Sequence, residues 1–138
     1  MFTVERRVGC LIEARVHALR SAEDGDAYFE AITAAVADVA APARAVICAD
    51  HRPVIIYPPA VADQLVRLFT SVNPRVQRAA LLVTPTNATV NMQLARIVRE
   101  AVNPNRQVFR DLARFTAFLA EVLDAAELTR VRAFMAEG

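Results

Sequence analysis

The sequence predicts an α/β protein in which an opening β-hairpin is followed by alternating helices and strands. Two segments, Val72-Asn73-Pro74-Arg75 and Val102-Asn103-Pro104-Asn105-Arg106, each follow an amphipathic run and precede an apolar one. Asparagine tolerates the left-handed conformation that ends a helix, and proline cannot continue one, so both segments predict a sharp helix stop before a strand. Residues 45–49 are apolar at every position, which is typical of a strand covered on both faces. Together these observations predict the element order ββαβαβαβαα.

Alternation of period two predicts the hairpin, with strands Phe2–Val8 and Ile12–Ala18 joined at Gly9. Each strand carries apolar side chains on one face only. We expect the register that places Glu5 opposite Arg15, because the alternative register opposes Glu5 to Glu13 and brings two carboxylates together. The exposed hairpin leaves both a monomer and a homodimer formed through this edge open.

The remaining elements follow from caps and periodic apolar positions. An acidic break at 21–26 starts the first helix, a proline pair at 58–59 starts the second, and possible caps at 84–87 start the third. Strands are expected at 45–49, 79–83 and 107–109. The inward positions of the three helices are predicted to be Phe29, Ile32, Val36 and Val39, then Val61, Leu65, Leu68 and Val72, then Val90, Leu94, Ile97 and Ala101. Asp111 caps a fourth helix, and Asp124 with Glu127 has the spacing of a capping box for a fifth.

Composition limits the function more than it defines it. The chain has 138 residues, which suits a single domain spanning 1–138, and its formal charge of +1 argues against nucleic-acid binding. All sixteen basic residues are arginine, so a P-loop lysine and a Schiff-base lysine are excluded. Two cysteines and two histidines show no metal-ligand spacing, and no cofactor is expected. No apolar run approaches the roughly 20 residues of a membrane span, and no signal-like start is present, so we expect a cytoplasmic protein.

The chain resembles bacterial STAS domains, the anti-sigma-factor-antagonist fold, over nearly its whole length. The resemblance is carried by the hairpin at Gly9, the apolar strand Ala45–Asp50, and Val108–Asp111 followed by a helix with Phe115. It implies a non-enzymatic regulatory module that recognises a partner protein through the loop after the third strand and the helix beyond. The loop between Asp50 and Pro59 contains no Ser or Thr, so the phosphorylation switch of regulated family members is not expected. The partner-binding residues on this hypothesis are Asp50, His51, Arg52, Ile55, Tyr57, Asp63, Gln64 and Arg67.

An alternative hypothesis is a small-molecule or lipid-binding domain, because ligands of open α/β sheets gather at the carboxyl ends of parallel strands. The candidate pocket residues are Asp50, His51, Thr84, Thr86, Asn87 and Arg110. The segment Asp50-His51-Arg52 either orients an imidazole for acid–base chemistry or is structural, with His51 at the surface and Arg52 paired to Asp50. No nucleophile or glycine cluster accompanies it, and we predict no enzyme.

Two further features are left open by the sequence. The apolar segment 53–59 is bounded by proline and either folds over the core or presents an apolar patch to a partner or lipid. Four arginines precede strands and form either a positive rim at the amino edge of the sheet or ordinary solvated positions. They are Arg44, Arg75, Arg78 and Arg106.

Overall fold

The computed structural model describes residues 1–138 and confirms the α/β class and the predicted order of elements. The strands are β1 (Phe2–Glu5), β2 (Leu11–Val16), β3 (Ala45–Asp50), β4 (Val76–Leu82) and β5 (Arg106–Phe109). The helices are α1 (Ala22–Asp38), α2 (Pro59–Val72), α3 (Ala88–Glu100), α4 (Leu112–Ala120) and α5 (Ala125–Glu137). None of these helices has the length and apolar character needed to cross a bilayer.

The five strands form one sheet in the order β1-β2-β3-β4-β5, in which β1 is antiparallel to β2 and all the other pairs are parallel. Because parallel crossovers are right-handed, the connecting helices α1, α2 and α3 all lie on one face of this sheet. They enclose the larger core, of 27 buried residues. Helices α4 and α5 cover the other face and enclose a second core of 10 buried residues. The molecule therefore has three layers.

The predicted inward faces of α2 and α3 are confirmed, because all eight of their predicted apolar positions are buried. The predicted capping box is also present, since Asp124 Oδ1 accepts from the Glu127 amide and Glu127 Oε1 accepts from the Asp124 amide. In α1 the buried face contains Tyr28 rather than Phe29, which is half-buried. The other three predicted inward positions, Ile32, Val36 and Val39, are buried as expected, so the prediction is wrong at Phe29 alone.

The predicted hairpin register is wrong. Glu5 lies opposite Glu13, and Thr3 lies opposite Arg15. The two carboxylates are neutralised from outside the pair: Arg7 binds Glu5, and Arg130 of α5 donates to Glu13 Oε1 at 2.6 Å. The expectation that β2 is covered on one face only is also wrong, since α5 packs on its second face and Glu13 is buried. Both errors have the same cause: helix α5, which is far from the hairpin in sequence, packs on β2 and supplies Arg130 to Glu13.

The two Val-Asn-Pro stops work differently from the expectation. Asn73 has φ −46° and ψ −45°, so it is right-handed and leads into a short 3₁₀ turn over Asn73–Arg75. In the second stop, Val102 rather than Asn103 takes a positive φ, of 48°. The asparagine side chains serve instead as hydrogen-bonding groups, since Asn73 Nδ2 donates to the Ala101 carbonyl at 2.7 Å.

The four arginines at the amino edge do not form a rim. Arg106 points into the larger core and is buried, whereas Arg78 turns to the other face and stacks on the Phe118 ring. Arg75 donates to the Val39 carbonyl, and Arg44 is exposed. Successive side chains of a strand point to opposite faces, so residues that share an edge do not share a surface.

Candidate functional site

The carboxyl end of β3 contains an ion-pair cluster centred on Asp50. Its carboxylate accepts from Arg52 Nε at 2.9 Å and Nη2 at 3.0 Å, and from Arg15 Nε at 3.0 Å. Burial alone would raise the pKa of Asp50, but the hydrogen bonds from Arg52 and Arg15 outweigh it and hold the pKa below its ordinary value. The carboxylate is therefore ionised at neutral pH and is fully occupied by protein donors.

The same two arginines hold the end of α5. Arg52 Nη2 donates to the Met135 carbonyl at 3.0 Å, while Arg15 donates to the Phe134 carbonyl and lies 4.1 Å from the centroid of that ring. Cations beside the last carbonyls of a helix are favourable. The Asp50 cluster thus fastens the C-terminal helix to the sheet. This agrees with the structural interpretation of Asp50 and Arg52 as an ion pair.

His51 lies on the opposite face of the sheet from Asp50, among the side chains of the larger core. It is 1% exposed, so the expectation of a surface histidine is wrong. Its Nδ1 is hydrogen-bonded to the hydroxyl of Tyr57, which is buried as well. Burial lowers the pKa of His51 to about 4, against the smaller opposing effect of the Asp50 carboxylate. The imidazole is therefore neutral at ordinary pH and is not presented to solvent.

The segment 53–58 after β3, which we call the docking loop, is held on the protein at several backbone positions. Asn87 Nδ2 donates to the carbonyls of Val54 and Ile55 at 3.2 and 3.0 Å. Gln93 forms a reciprocal pair with the backbone of Tyr57, accepting from its amide at 2.9 Å and donating to its carbonyl at 2.7 Å. These side chains come from the start and the middle of α3, so a rigid helix fixes the shape of the loop.

The docking loop both folds over the core and exposes an apolar patch. Val54 and Tyr57 point inward and are buried, whereas Ile55 and Ile56 are 80% and 57% exposed. An open groove of about 530 Å³ runs beside them, between the docking loop and the segment 17–20 that follows β2. The groove is lined by His17 and Arg20 but by no acidic side chain. It therefore combines apolar walls with one arginine and no carboxylate.

The eight predicted partner-binding residues separate into two groups. Asp50, His51, Tyr57 and Gln64 are buried and cannot touch a partner directly. Gln64, expected on the outer side of α2, instead donates to the Ala22 carbonyl at 2.8 Å and to Asp26 at 2.9 Å. The accessible members are Ile55, Asp63 and Arg67, together with the partly exposed Arg52.

The six predicted pocket residues do not converge on one site. Asp50 and His51 point to opposite faces of the sheet, as alternation requires. Thr84 donates its hydroxyl to the Arg52 carbonyl at 3.1 Å, and Asn87 caps α3 while holding the docking loop. Thr86 and Arg110 are exposed. No group of three or more His, Cys, Asp or Glu side chains is arranged to hold a metal ion.

Sequence reasoning missed several residues that shape this region. Ile56 was not singled out from its neighbours, and Gln93 gave no signal, because an amide on a helix is usually solvated. The burial of His51 and Arg106 could have been predicted by continuing the alternation of inward and outward side chains along β3 and β5. His51 continues the inward positions Ile47 and Ala49, and Arg106 shares a face with Val108.

A comparison of the chain with models of known protein families found no match, and a search of curated proteins found no matching relative.

Proposed function

We propose that this protein is a non-enzymatic binding module that docks a partner protein on the docking loop, with Ile55 and Ile56 as the apolar anchors. The observation that carries the proposal is a pair of exposed isoleucines on a loop whose backbone is fixed by Asn87 and Gln93. Two adjacent aliphatic side chains exposed on a rigid loop are better covered by an apolar partner surface than left in contact with water. Binding energy at interfaces is concentrated in a few such anchors, and a preformed loop loses little conformational freedom on binding.

The charge of the groove indicates the chemistry of the partner. His17 and Arg20 line it, and no carboxylate of this chain does. A partner that inserts apolar side chains between 17–20 and 55–56 would be favoured if carboxylates flanked them, because complementary charge at the rim steers association. Our proposed partner surface is therefore an apolar segment with acidic neighbours.

The resemblance to STAS domains supports the same region, since it implies recognition through the loop after the third strand and the following helix. Asp63 and Arg67 of α2 are exposed and would extend the contact on that helix. We further place the interaction in the cytoplasm. The two free cysteines, Cys10 and Cys48, pack in different cores on opposite faces of the sheet, as suits unpaired thiols in a reducing compartment.

Photo-crosslinking tests the proposal in the intact chain. A benzophenone amino acid at position 55 is expected to crosslink to a protein in cells, whereas the same probe at Met92 is the control, because Met92 is a 73% exposed apolar residue of α3 away from the groove. The captured protein is then purified and its affinity for the wild-type chain is measured by calorimetry. We expect Ile55→Asp to weaken binding by at least about 10-fold and Met92→Asp to leave it unchanged.

Two results would overturn the assignment. One is equal loss of affinity in both variants. The other is crosslinking at position 55 to lipid alone, accompanied by flotation of the protein with anionic vesicles, which would identify a membrane surface as the binding target.

A further inference from the structure

The outer edge of β1 is unpaired. β1 is the first strand of the sheet, so β2 lies on one side of it and no strand lies on the other. The His17 amide donates to the Met1 carbonyl at 3.0 Å, which shows that Met1 directs its backbone to the β2 side. In an antiparallel pair only alternate residues do so. Thr3 therefore bonds to β2 as well, whereas the N–H and C=O groups of Phe2 and Val4 point away from the sheet.

The charged residues beside this edge are engaged by their own chain. Charged side chains and proline are common devices that keep an edge strand from pairing with another strand. Here Arg6 donates to the Gly9 carbonyl at 2.7 Å and to the Asp38 carbonyl at 3.1 Å. Arg7 Nε donates to the Glu5 carboxylate at 2.7 Å. β1 contains no proline, so neither device blocks its outer edge.

The apolar side chains of β1 are covered only in part. Phe2 and Val4 pack against the larger core, but both are half-buried. The Phe2 ring meets the Tyr28 ring of α1 edge to face, with 5.2 Å between the centroids. Ala31 and Ala35 lie one and two turns further along the same side of α1 and are half-buried too. The side of α1 next to the edge of β1 therefore has small side chains, and a second helix can approach it closely.

We propose that the outer edge of β1 binds the same edge of a second copy of the chain, antiparallel about a two-fold axis at Thr3, so that the two sheets become continuous. The edge is complementary to itself in this register. Phe2 of each copy faces Val4 of the other, and each such pair exchanges both of its N–H···O bonds. Aromatic side chains opposite β-branched ones are favourable pairs. Glu5 faces Met1 rather than another carboxylate, so no like charges are brought together.

Sedimentation equilibrium tests the dimer. We expect the wild type to sediment at twice its chain mass of 15.1 kDa. Thr3→Arg places two cations opposite each other at the two-fold axis and should raise the dissociation constant of the dimer by at least about 10-fold. Gln107→Arg is the matched control, because Gln107 is an exposed residue of β5 at the opposite edge of the sheet. A wild type that is monomeric at millimolar concentration, or an equal effect of the two variants, would overturn the proposal.

Disulfide crosslinking tests the register. Thr3 faces itself across the two-fold axis as a pair without backbone hydrogen bonds, with a Cα–Cα distance of about 4.5 Å, which a disulfide can span. In a Cys10→Ser background, in which the remaining Cys48 is buried, Thr3→Cys should form a covalent dimer under mild oxidation. Glu5→Cys is the control and should remain uncrosslinked, because Glu5 does not face itself. Equal crosslinking at the two positions, or none at Thr3→Cys in a protein that sediments as a dimer, would overturn the proposed pairing.

Discussion

The side-chain amide of Asn103 donates to Oδ1 of Asn73 at 3.1 Å, so the two Val-Asn-Pro segments contact each other across the amino edge of the sheet. The same oxygen accepts from Arg106 Nη1 at 2.6 Å. Asn73 therefore joins the ends of α2 and α3 to the start of β5 and also supplies the one protein acceptor of a buried guanidinium.

We expect Asn73→Ala to destabilise the protein much more than Asn103→Ala. The first substitution removes the acceptor of the buried Arg106 and the donor to Ala101, whereas the second removes one neutral bond from Asn73 and a local contact to the Asn105 amide. Bonds to charged groups are the stronger ones, so we expect losses of about 3 and about 1 kcal/mol respectively. Urea unfolding of both variants measures this. Equal losses would show that Asn73 Oδ1 is not important to Arg106.

The repeated segments show what the sequence could and could not predict. The position of both helix stops follows from local chemistry, since proline removes a donor and restricts the preceding residue. The inward faces of α2 and α3 follow from the helical periodicity of the apolar positions, which is also a local signal. The contact between Asn73 and Asn103 spans 30 residues, and no local pattern encodes it. The left-handed Val102 is likewise set by tertiary packing against the propensity of a β-branched residue.

The candidate site divides in the same way. Proline at both ends of an apolar segment marked the docking loop, and strand ends marked Asp50 and His51. To predict which face of the sheet Asp50 and His51 point to, the alternation of side chains along β3 has to be continued past the end of the strand. The hydrogen bonds from Asn87 and Gln93 that shape the loop connect elements more than 30 residues apart, so only the folded arrangement reveals them.

The stability of the protein is expected to fall between about pH 6.5 and pH 4 because of His51. The pKa of this group is lowered from 6.5 to about 4 by burial, so the unfolded chain binds the proton more tightly than the folded protein. The contribution of His51 to the free energy of unfolding is complete above pH 6.5, decreases as the pH falls and is lost below about pH 4. A difference of this size corresponds to about 3 kcal/mol. The groups around the imidazole are Asp50, which favours its protonated form, and Tyr57, Tyr28 and Arg106.

Urea unfolding across this pH range measures the effect. His51→Gln should flatten the profile between pH 6.5 and 4, whereas His17→Gln, at the other and exposed histidine, should leave it unchanged. The effect of Asp50 on the pH profile can be distinguished from that of His51. The pKa of Asp50 is held below 3.8, so its contribution to stability is lost only at lower pH. A wild-type profile that is flat down to pH 4 would contradict the prediction.

Arg130→Ala is expected to destabilise the protein clearly more than the control below, because it leaves the buried Glu13 carboxylate without its ion pair. Arg130 donates to both oxygens of Glu13, at 2.6 and 3.1 Å, and the Glu13 side chain is 1% exposed. The contact joins positions 117 residues apart, which explains why the hairpin register could not be deduced from the hairpin alone. Arg132→Ala, at an exposed position of the same helix, is the control.

A double-mutant cycle with Glu13→Gln separates the ion pair from the packing of the arginine. In the Glu13→Gln background, Arg130→Ala should cost much less, since a neutral amide needs no countercharge, so the two substitutions should show a clear positive coupling. Additive effects of the two substitutions would refute the account of the register.

Gly25→Ala is expected to destabilise the protein although alanine is the better helix former. Gly25 is buried in α1 where α2 packs against it, and a Cβ at this position would lie 1.8 Å from Oε1 of Gln64. The methyl group must displace that side chain, which breaks its bonds to the Ala22 carbonyl and to Asp26. Crowding of this kind costs about 1–3 kcal/mol and each lost hydrogen bond about 1 kcal/mol, so together they exceed the gain in helix propensity of about 1 kcal/mol.

The paired variant distinguishes crowding from any other effect of the new methyl group. In the Gln64→Ala background the space beside Gly25 is open, so Gly25→Ala should become neutral or stabilising there, as expected for a helical glycine. Thermal unfolding of the wild type, the two single variants and the double variant measures the reversal of sign. If Gly25→Ala were destabilising to the same extent in both backgrounds, the close approach of α1 and α2 at this glycine would not be its cause.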